Sequence, residues 1–137
     1  ILGGLVAITP CAFVVGPAGA FAVGLSAGII NNLGYDLILK KWRIDDAVGA
    51  IPIHGICGAW GTLCVALFAR GDQFGTVLLD NRLEQLGVQA VGILACMLWA
   101  GSVSFVLFKF LRRYVGLRVS PEEEISGIQF GLRPSVQ

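Results

Sequence analysis

Asp45-Asp46-Ala47-Val48-Gly49-Ala50-Ile51-Pro52-Ile53-His54-Gly55-Ile56-Cys57-Gly58-Ala59-Trp60-Gly61 is the stretch on which the fold turns. Two acids open it, no formal charge follows until Arg70, and His54 is the only histidine in the chain. Read as one helix from about Asp46 to Ala69, the segment has roughly 24 residues and a length of about 35 Å, enough to cross a hydrocarbon core of about 30 Å. His54 then stands about 12 Å in from the acidic end, not far from the midplane. A lone ionisable group at that depth is costly unless it faces a cavity or a partner, which marks it as a functional position. Gly58 and Gly61 follow at i+4 and i+7, so the imidazole overlooks a face with almost no side chains. Two plainer readings compete: a packed histidine bonding a neighbouring helix, and glycines that serve only close helix approach.

Outward from this stretch the composition is that of a membrane protein. Of 137 residues 55% are hydrophobic and only 14% charged, with a mean hydropathy of +0.78; a soluble domain carries about 25% charged residues. No charge occurs from Ile1 to Tyr35, from Ala47 to Ala69 (His54 aside), or from Gln85 to Phe108. This predicts an all-α, polytopic transmembrane bundle with spans at about residues 18–39, 46–69 and 87–111, a membrane domain over about residues 1–113 and a soluble tail over about 114–137. The net charge of +1 and the lack of a basic run interleaved with aromatics leave nucleic acid out as a partner. Cys11, Cys57, Cys64 and Cys96 form no CxxC pair, so they read as small apolar core residues, and no metal or cofactor is expected. The chain opens in mid-apolar sequence without an initiator methionine, as expected of a piece of a longer membrane protein.

Residues Ile1 to Ile8 read as the last turns of a helix. Thr9-Pro10 and Gly16-Pro17 break it, leaving Cys11 to Val15 as an irregular connection that protein or a water-filled cavity must cover. Thr9 is either a hydroxyl beside such a cavity or a capping group. In the next helix Ala20, Gly24 and Gly28 stack as a small-residue seam, and Asn31 and Asn32 read as interhelical hydrogen-bonding groups. Lys40-Lys41-Trp42-Arg43 closes it, and a carboxylate at Asp45 or Asp46 caps the helix of His54. Arg70, Asp72, Arg82 and Glu84 read as the solvated surface of a polar hairpin, and Ser120-Pro121 as the start of a short helix. The loop at 40–43 carries three basic residues, the C-terminal end five and the 70–84 hairpin two. Three spans put the two richer regions on one side, which the positive-inside rule makes cytoplasmic.

Four stretches carry a resemblance: Gly4-Leu5-Val6-Ala7-Ile8-Thr9-Pro10, Ile44-Asp45-Asp46, His54-Gly55-Ile56-Cys57-Gly58 and Val115-Gly116-Leu117-Arg118-Val119-Ser120-Pro121-Glu122-Glu123-Glu124. In this order and spacing the chain resembles the C-terminal third of an ammonium transporter of the Amt/Rh family. The resemblance implies the eleven-helix fold of that family, built on an inverted repeat. It assigns this chain the end of helix eight and helices nine, ten and eleven. It matches His54 to the second of the two pore histidines; Ala50, Ile51, Gly58 and Thr9 are the further positions expected along the pore. It implies a homotrimer in the cell membrane, a cytoplasmic C-terminal tail and a PII-class regulatory protein as a partner at the cytoplasmic face. Pro52 departs from the glycine or serine expected before the histidine, and Ile51 stands where many members have phenylalanine. Pro52 therefore starts or kinks the helix there.

The function expected is passage of ammonia, after ammonium is deprotonated, through an apolar pore lined by a neutral imidazole. An apolar conduit raises the free energy of a bare ion steeply, whereas neutral ammonia enters at much lower cost. A second reading is an ammonium-sensing membrane module. A third, weaker one is a haem-binding subunit with His54 as axial ligand, for which Met97 is the only sulfur partner with precedent. No nucleophile–base set for an enzyme occurs, so none is expected.

Overall fold

The computed structural model describes residues 1–120 together with Glu122 and Glu124. Helix α1 (Leu2–Ile8) is followed by α2 (Pro17–Asp36), which widens into a π turn over Leu37–Lys41. A second π turn, Ile51–Ile56, runs into α3 (Cys57–Phe68), and α4 covers Arg82–Tyr114. Among the described residues three helical stretches are long and apolar enough to cross a membrane: Pro17–Lys41, Ile51–Phe68 and Arg82–Tyr114. Ile1–Met97 form one compact unit, and the chain from Leu98 a second.

In the first unit α1 runs parallel to α3 and α2 antiparallel to both. Gly3 lies beside Cys57 and Asn31, and Gly61 beside Ala7. Gly34 lies beside Pro52 and Ile56, and Gly19 at the other end beside Phe68. The core along these contacts is small-residue and apolar, with Ala7, Cys11, Val14, Val23, Ala27, Cys57 and Cys64 fully buried. The connection after α1 is covered by its own protein, since Cys11 and Val14 are in that core and the Arg70 N–H donates to the Val14 carbonyl at 3.0 Å. The cysteines are free, with Cys11, Cys57 and Cys64 buried and Cys96 exposed.

The packing stripe of α2 is Val23, Ala27, Gly34 and Ile38, one position round from the expected seam. A Cβ at Gly24 or Gly28 would meet nothing within 4 Å, but one at Gly4 would stand 3.4 Å from the Gly24 carbonyl oxygen, so the seam does admit a close approach of α1 at Gly24. The expected glycine face of α3 also divides. A Cβ at Gly58 would make only ordinary contact with Val6, whereas one at Gly61 would land on the backbone of Ala7. Gly61 is thus a packing glycine on the buried side rather than part of an open surface beneath His54. The cause is the π turn, whose extra residue per turn rotates everything after Ile56 relative to an i+4, i+7 projection. Among the described residues the expected asparagine bonds are not formed. Asn31 Oδ1 is buried without a hydrogen-bond partner and Asn32 is exposed. Two side-chain bonds tie α2 to α3: Trp60 Nε1–H to Ser26 Oγ at 3.0 Å, and the Cys57 thiol to the Ala27 carbonyl at 3.5 Å.

Arg82, expected on a solvated surface, has a structural task. Its guanidinium donates to the carbonyls of Ala66 at 2.6 Å, Leu67 at 2.8 Å and Ala69 at 3.2 Å, and lies 4.7 Å from the centre of the Phe74 ring. These carbonyls belong to the last turn of α3 and to the residue that caps it, Ala69, where backbone acceptors lack helical partners and the helix dipole favours a cation. Replacing Arg82 with alanine is expected to cost about 1–2 kcal/mol, at the upper end for a cation on a helix C-terminus. A lowered thermal midpoint of the purified protein in detergent, only partly restored by Arg82→Lys, would show it, since lysine lacks the planar fork.

Helix α4 starts earlier than the expected residue 87. Asn81 Oδ1 accepts the Glu84 N–H at 2.8 Å, an N-cap bond that draws the hairpin residues Arg82 to Gln85 into the helix. Its 33 residues give a length of about 50 Å, well beyond a hydrocarbon core of about 30 Å. Of the expected short helix at Ser120, Pro121 lies outside the described residues. The Glu124 N–H donates to the Ser120 carbonyl at 2.9 Å, the i to i−4 bond of a helical turn.

Candidate functional site

The helix of His54 begins at Ile51, not at Asp46. Gly49 takes a left-handed backbone with φ of 68°, turning the chain before the helix can start. Asp46 reaches across this turn, its two carboxylate oxygens accepting the Ala50 and Ile51 N–H groups, each at 2.8 Å. A buried carboxylate on the first free amides satisfies orphan donors and complements the positive end of the helix dipole. Asp45 is exposed. Pro52 sits at the second helical position, where its missing N–H removes no intrahelical bond.

The six-residue π turn itself is closed by the Cys57 N–H donating to the Pro52 carbonyl, five residues back. That width puts Pro52 and Cys57 on the same buried side, followed by Gly61 and Cys64. α2 holds the turn from its other side. A Cβ at Gly34 would stand 2.8 Å from Ile56 Cδ1 and 3.2 Å from Pro52 Cβ, so glycine there permits the approach. Gly49 packs against the Tyr35 ring.

His54 lies off this buried side. It is exposed, and among the described residues it makes no hydrogen bond or ion pair. Ala50 and Ile51, also exposed, share its opening turn, and Gly58 follows one turn deeper and half-buried. Thr9 is elsewhere. Ala7 is level with Gly61, so Thr9 stands about 10 Å or more along the axis from His54. Thr9 is exposed at the C-terminal end of α1, and its hydroxyl donates to the Leu5 carbonyl at 2.8 Å. No three His, Cys, Asp or Glu side chains among the described residues could together hold a metal ion.

Asp46 is the anchor of this arrangement, and replacing it with alanine is expected to cost about 1–2 kcal/mol, the usual range for a lost N-cap. Asp46→Asn keeps one acceptor and should lose less. Thermal unfolding of the two variants in detergent checks the order.

Arg82 and the Ser26–Trp60 bond are the structural contributors that sequence reading missed. Both join residues far apart in the chain, and no local spacing announces them.

Comparison with known proteins agrees with the geometry. Residues 1–131 match the model of the Ammonium Transporter Family. Ammonium transporter Amt2 of Archaeoglobus fulgidus is 39% identical over 145 residues, covering 98% of this chain and 30% of its own length. A Synechocystis sp. protein whose name also carries the words ammonium transporter is 44% identical over 127 residues, covering 93% of this chain and 23% of its own. A solved structure named Sensor Amt Protein superposes with a TM-score of 0.88 at 40% identity, covering 96% of this chain and 32% of that one. The chain therefore spans about a third or less of the length of these relatives. In sequence and in fold alike, it belongs to the ammonium transporter family of multi-pass membrane proteins.

Proposed function

We propose that this chain supplies one wall of an ammonium-conducting pore, in which His54 presents a neutral imidazole to ammonia. The observation that carries the reading is the state of His54: a single imidazole on an apolar span, off the packed face and bonded to nothing else in the described chain. Ammonium enters by shedding a proton, and ammonia then crosses an apolar path that a bare cation would cross only at high cost. A neutral imidazole offers one donor and one acceptor nitrogen to the passing solute, so it can take a proton on one nitrogen and give one up from the other. Ala50, Ile51 and Gly58 line the same stretch, small or apolar enough to leave the path dry.

The same reading extends to the assembly: a homotrimer in the cell membrane, with the tail on the cytoplasmic side and open to a PII-class regulator. The basic residues at 40–43 and beyond Phe108 support that orientation. An ammonium sensor is the second reading, favoured by the likeness to the structure named Sensor Amt Protein. Flux separates the two. The complete protein reconstituted into liposomes should pass ammonium down a gradient and exclude potassium; saturable ammonium binding without flux would instead make it a sensor.

A further inference from the structure

His54 stands between two points at which its turn is fastened to α2. Before it, the fully buried ring of Pro52 lies against Gly34, where a Cβ would stand 3.2 Å from Pro52 Cβ and 2.8 Å from Ile56 Cδ1. After it, the Cys57 thiol donates to the Ala27 carbonyl at 3.5 Å. Pro52 and Cys57 are also the two residues that close the π turn, the Cys57 N–H donating to the Pro52 carbonyl. Any movement of Pro52 therefore alters the turn that carries the imidazole. Of the two atoms facing Gly34, Ile56 Cδ1 is the free end of a side chain and can swing aside. Pro52 Cβ cannot, because the pyrrolidine ring ties it to the backbone. Ordinary contact between carbons is at about 3.5–4.0 Å, so a methyl group at position 34 falls roughly half an ångström short and must displace the proline backbone or α2 itself.

We propose that Gly34 is a positioning residue for His54: the absent side chain on α2 lets Pro52 seat against it, and that seat sets the direction of the imidazole. The consequence for flux rests on the proposed function; the direction of the ring does not. An error of about 1 Å in the placement of a working group can cost about a hundredfold, so a push of about half that size predicts roughly a tenfold loss of ammonium flux in Gly34→Ala. This loss runs through the imidazole, and it disappears where the imidazole is absent.

The test uses the complete protein in liposomes and compares wild type, Gly34→Ala, His54→Ala and the double variant. Each is also prepared with isotopically labelled histidine and read by solid-state nuclear magnetic resonance, where the ring-nitrogen signal that His54→Ala removes identifies His54. That signal should shift in Gly34→Ala. Ammonium flux should fall roughly tenfold from wild type to Gly34→Ala. It should not fall further from His54→Ala to His54→Ala/Gly34→Ala, the non-additivity of two residues that act through one group. A His54 signal that stays in place would overturn the proposal. So would an equal fold-loss with and without the imidazole, which is what a plain packing defect produces. Unchanged flux in His54→Ala would sink the conduction reading instead, and a shifted signal in Gly34→Ala would still uphold the positioning. Should Gly34→Ala fail to fold, Gly34→Ala/Ile56→Val removes the nearer obstacle, leaves Pro52 in place and is put through the same measurements.

Discussion

Gly61→Leu in the complete protein is expected to yield no correctly folded material, and Gly61→Ala to lower stability sharply. A Cβ built at Gly61 falls on the carbonyl oxygen of Ala7 and 2.7 Å from its Cα and carbonyl carbon. Those are backbone atoms, so no rotamer change relieves the clash; α1 and α3 must move apart. Both partners are buried, and the separation would open the core where Cys11 and Cys64 also pack. Overpacking a core by a single methyl-sized group commonly costs about 1–3 kcal/mol, and a backbone obstacle places Gly61→Ala at or above the top of that range. Gly92→Ala in α4 is the control, since a Cβ there meets nothing within 4 Å. Helix propensity alone would make that change neutral or favourable by up to about 1 kcal/mol. Size-exclusion profiles and thermal midpoints in one detergent compare the three. A Gly61→Ala protein as stable as the control would mean that the close approach of α1 to α3 is wrong.

Under the proposed function, His54→Ala should leave the protein folded and remove the ammonium conduction, or the preference for ammonium over potassium, that this reading assigns to the pore. His54 is exposed and outside the apolar core, so truncating it creates no cavity among the described residues. Folding and function are therefore separable at this position, which they are not at Gly61. Losing a hydrogen-bonding group that a desolvated solute needs costs about 1–3 kcal/mol, or roughly a ten- to hundredfold fall in flux at about 1.4 kcal/mol per decade. Under the proposed function, the choice between the two cations rests on a proton. Ammonium can give one up and cross as a neutral molecule; potassium cannot, and meets the full cost of leaving water. Parallel ammonium and potassium fluxes in liposomes, with circular dichroism to confirm the fold, measure both effects. If His54→Ala kept the flux and the selectivity together, the imidazole would have no part in conduction.

Much of this protein was legible in its sequence because charge depletion over some twenty residues has one physical solution in a bilayer, a helix that satisfies its own backbone. The spans, the breaks at Pro10 and Pro17, the role of an acid before Ala47 and the prominence of His54 all follow from that local rule. The packing did not. A projection from His54 put Gly58 and Gly61 on a single open face, but the π turn Ile51–Ile56 inserts an extra residue and sends Gly61 against Ala7. Whether a turn is α or π depends on what it packs against, here Gly34 of α2 under Pro52 and Ile56. Arg82 likewise read as a surface charge, because the three carbonyls it holds belong to a helix end brought to it only by the folded hairpin. Sequence alone determined that this chain crosses a membrane and that its one histidine stands in a span. Tertiary structure decided which side of that helix is packed and which is left free, because faces are set by contacts between residues distant in the chain.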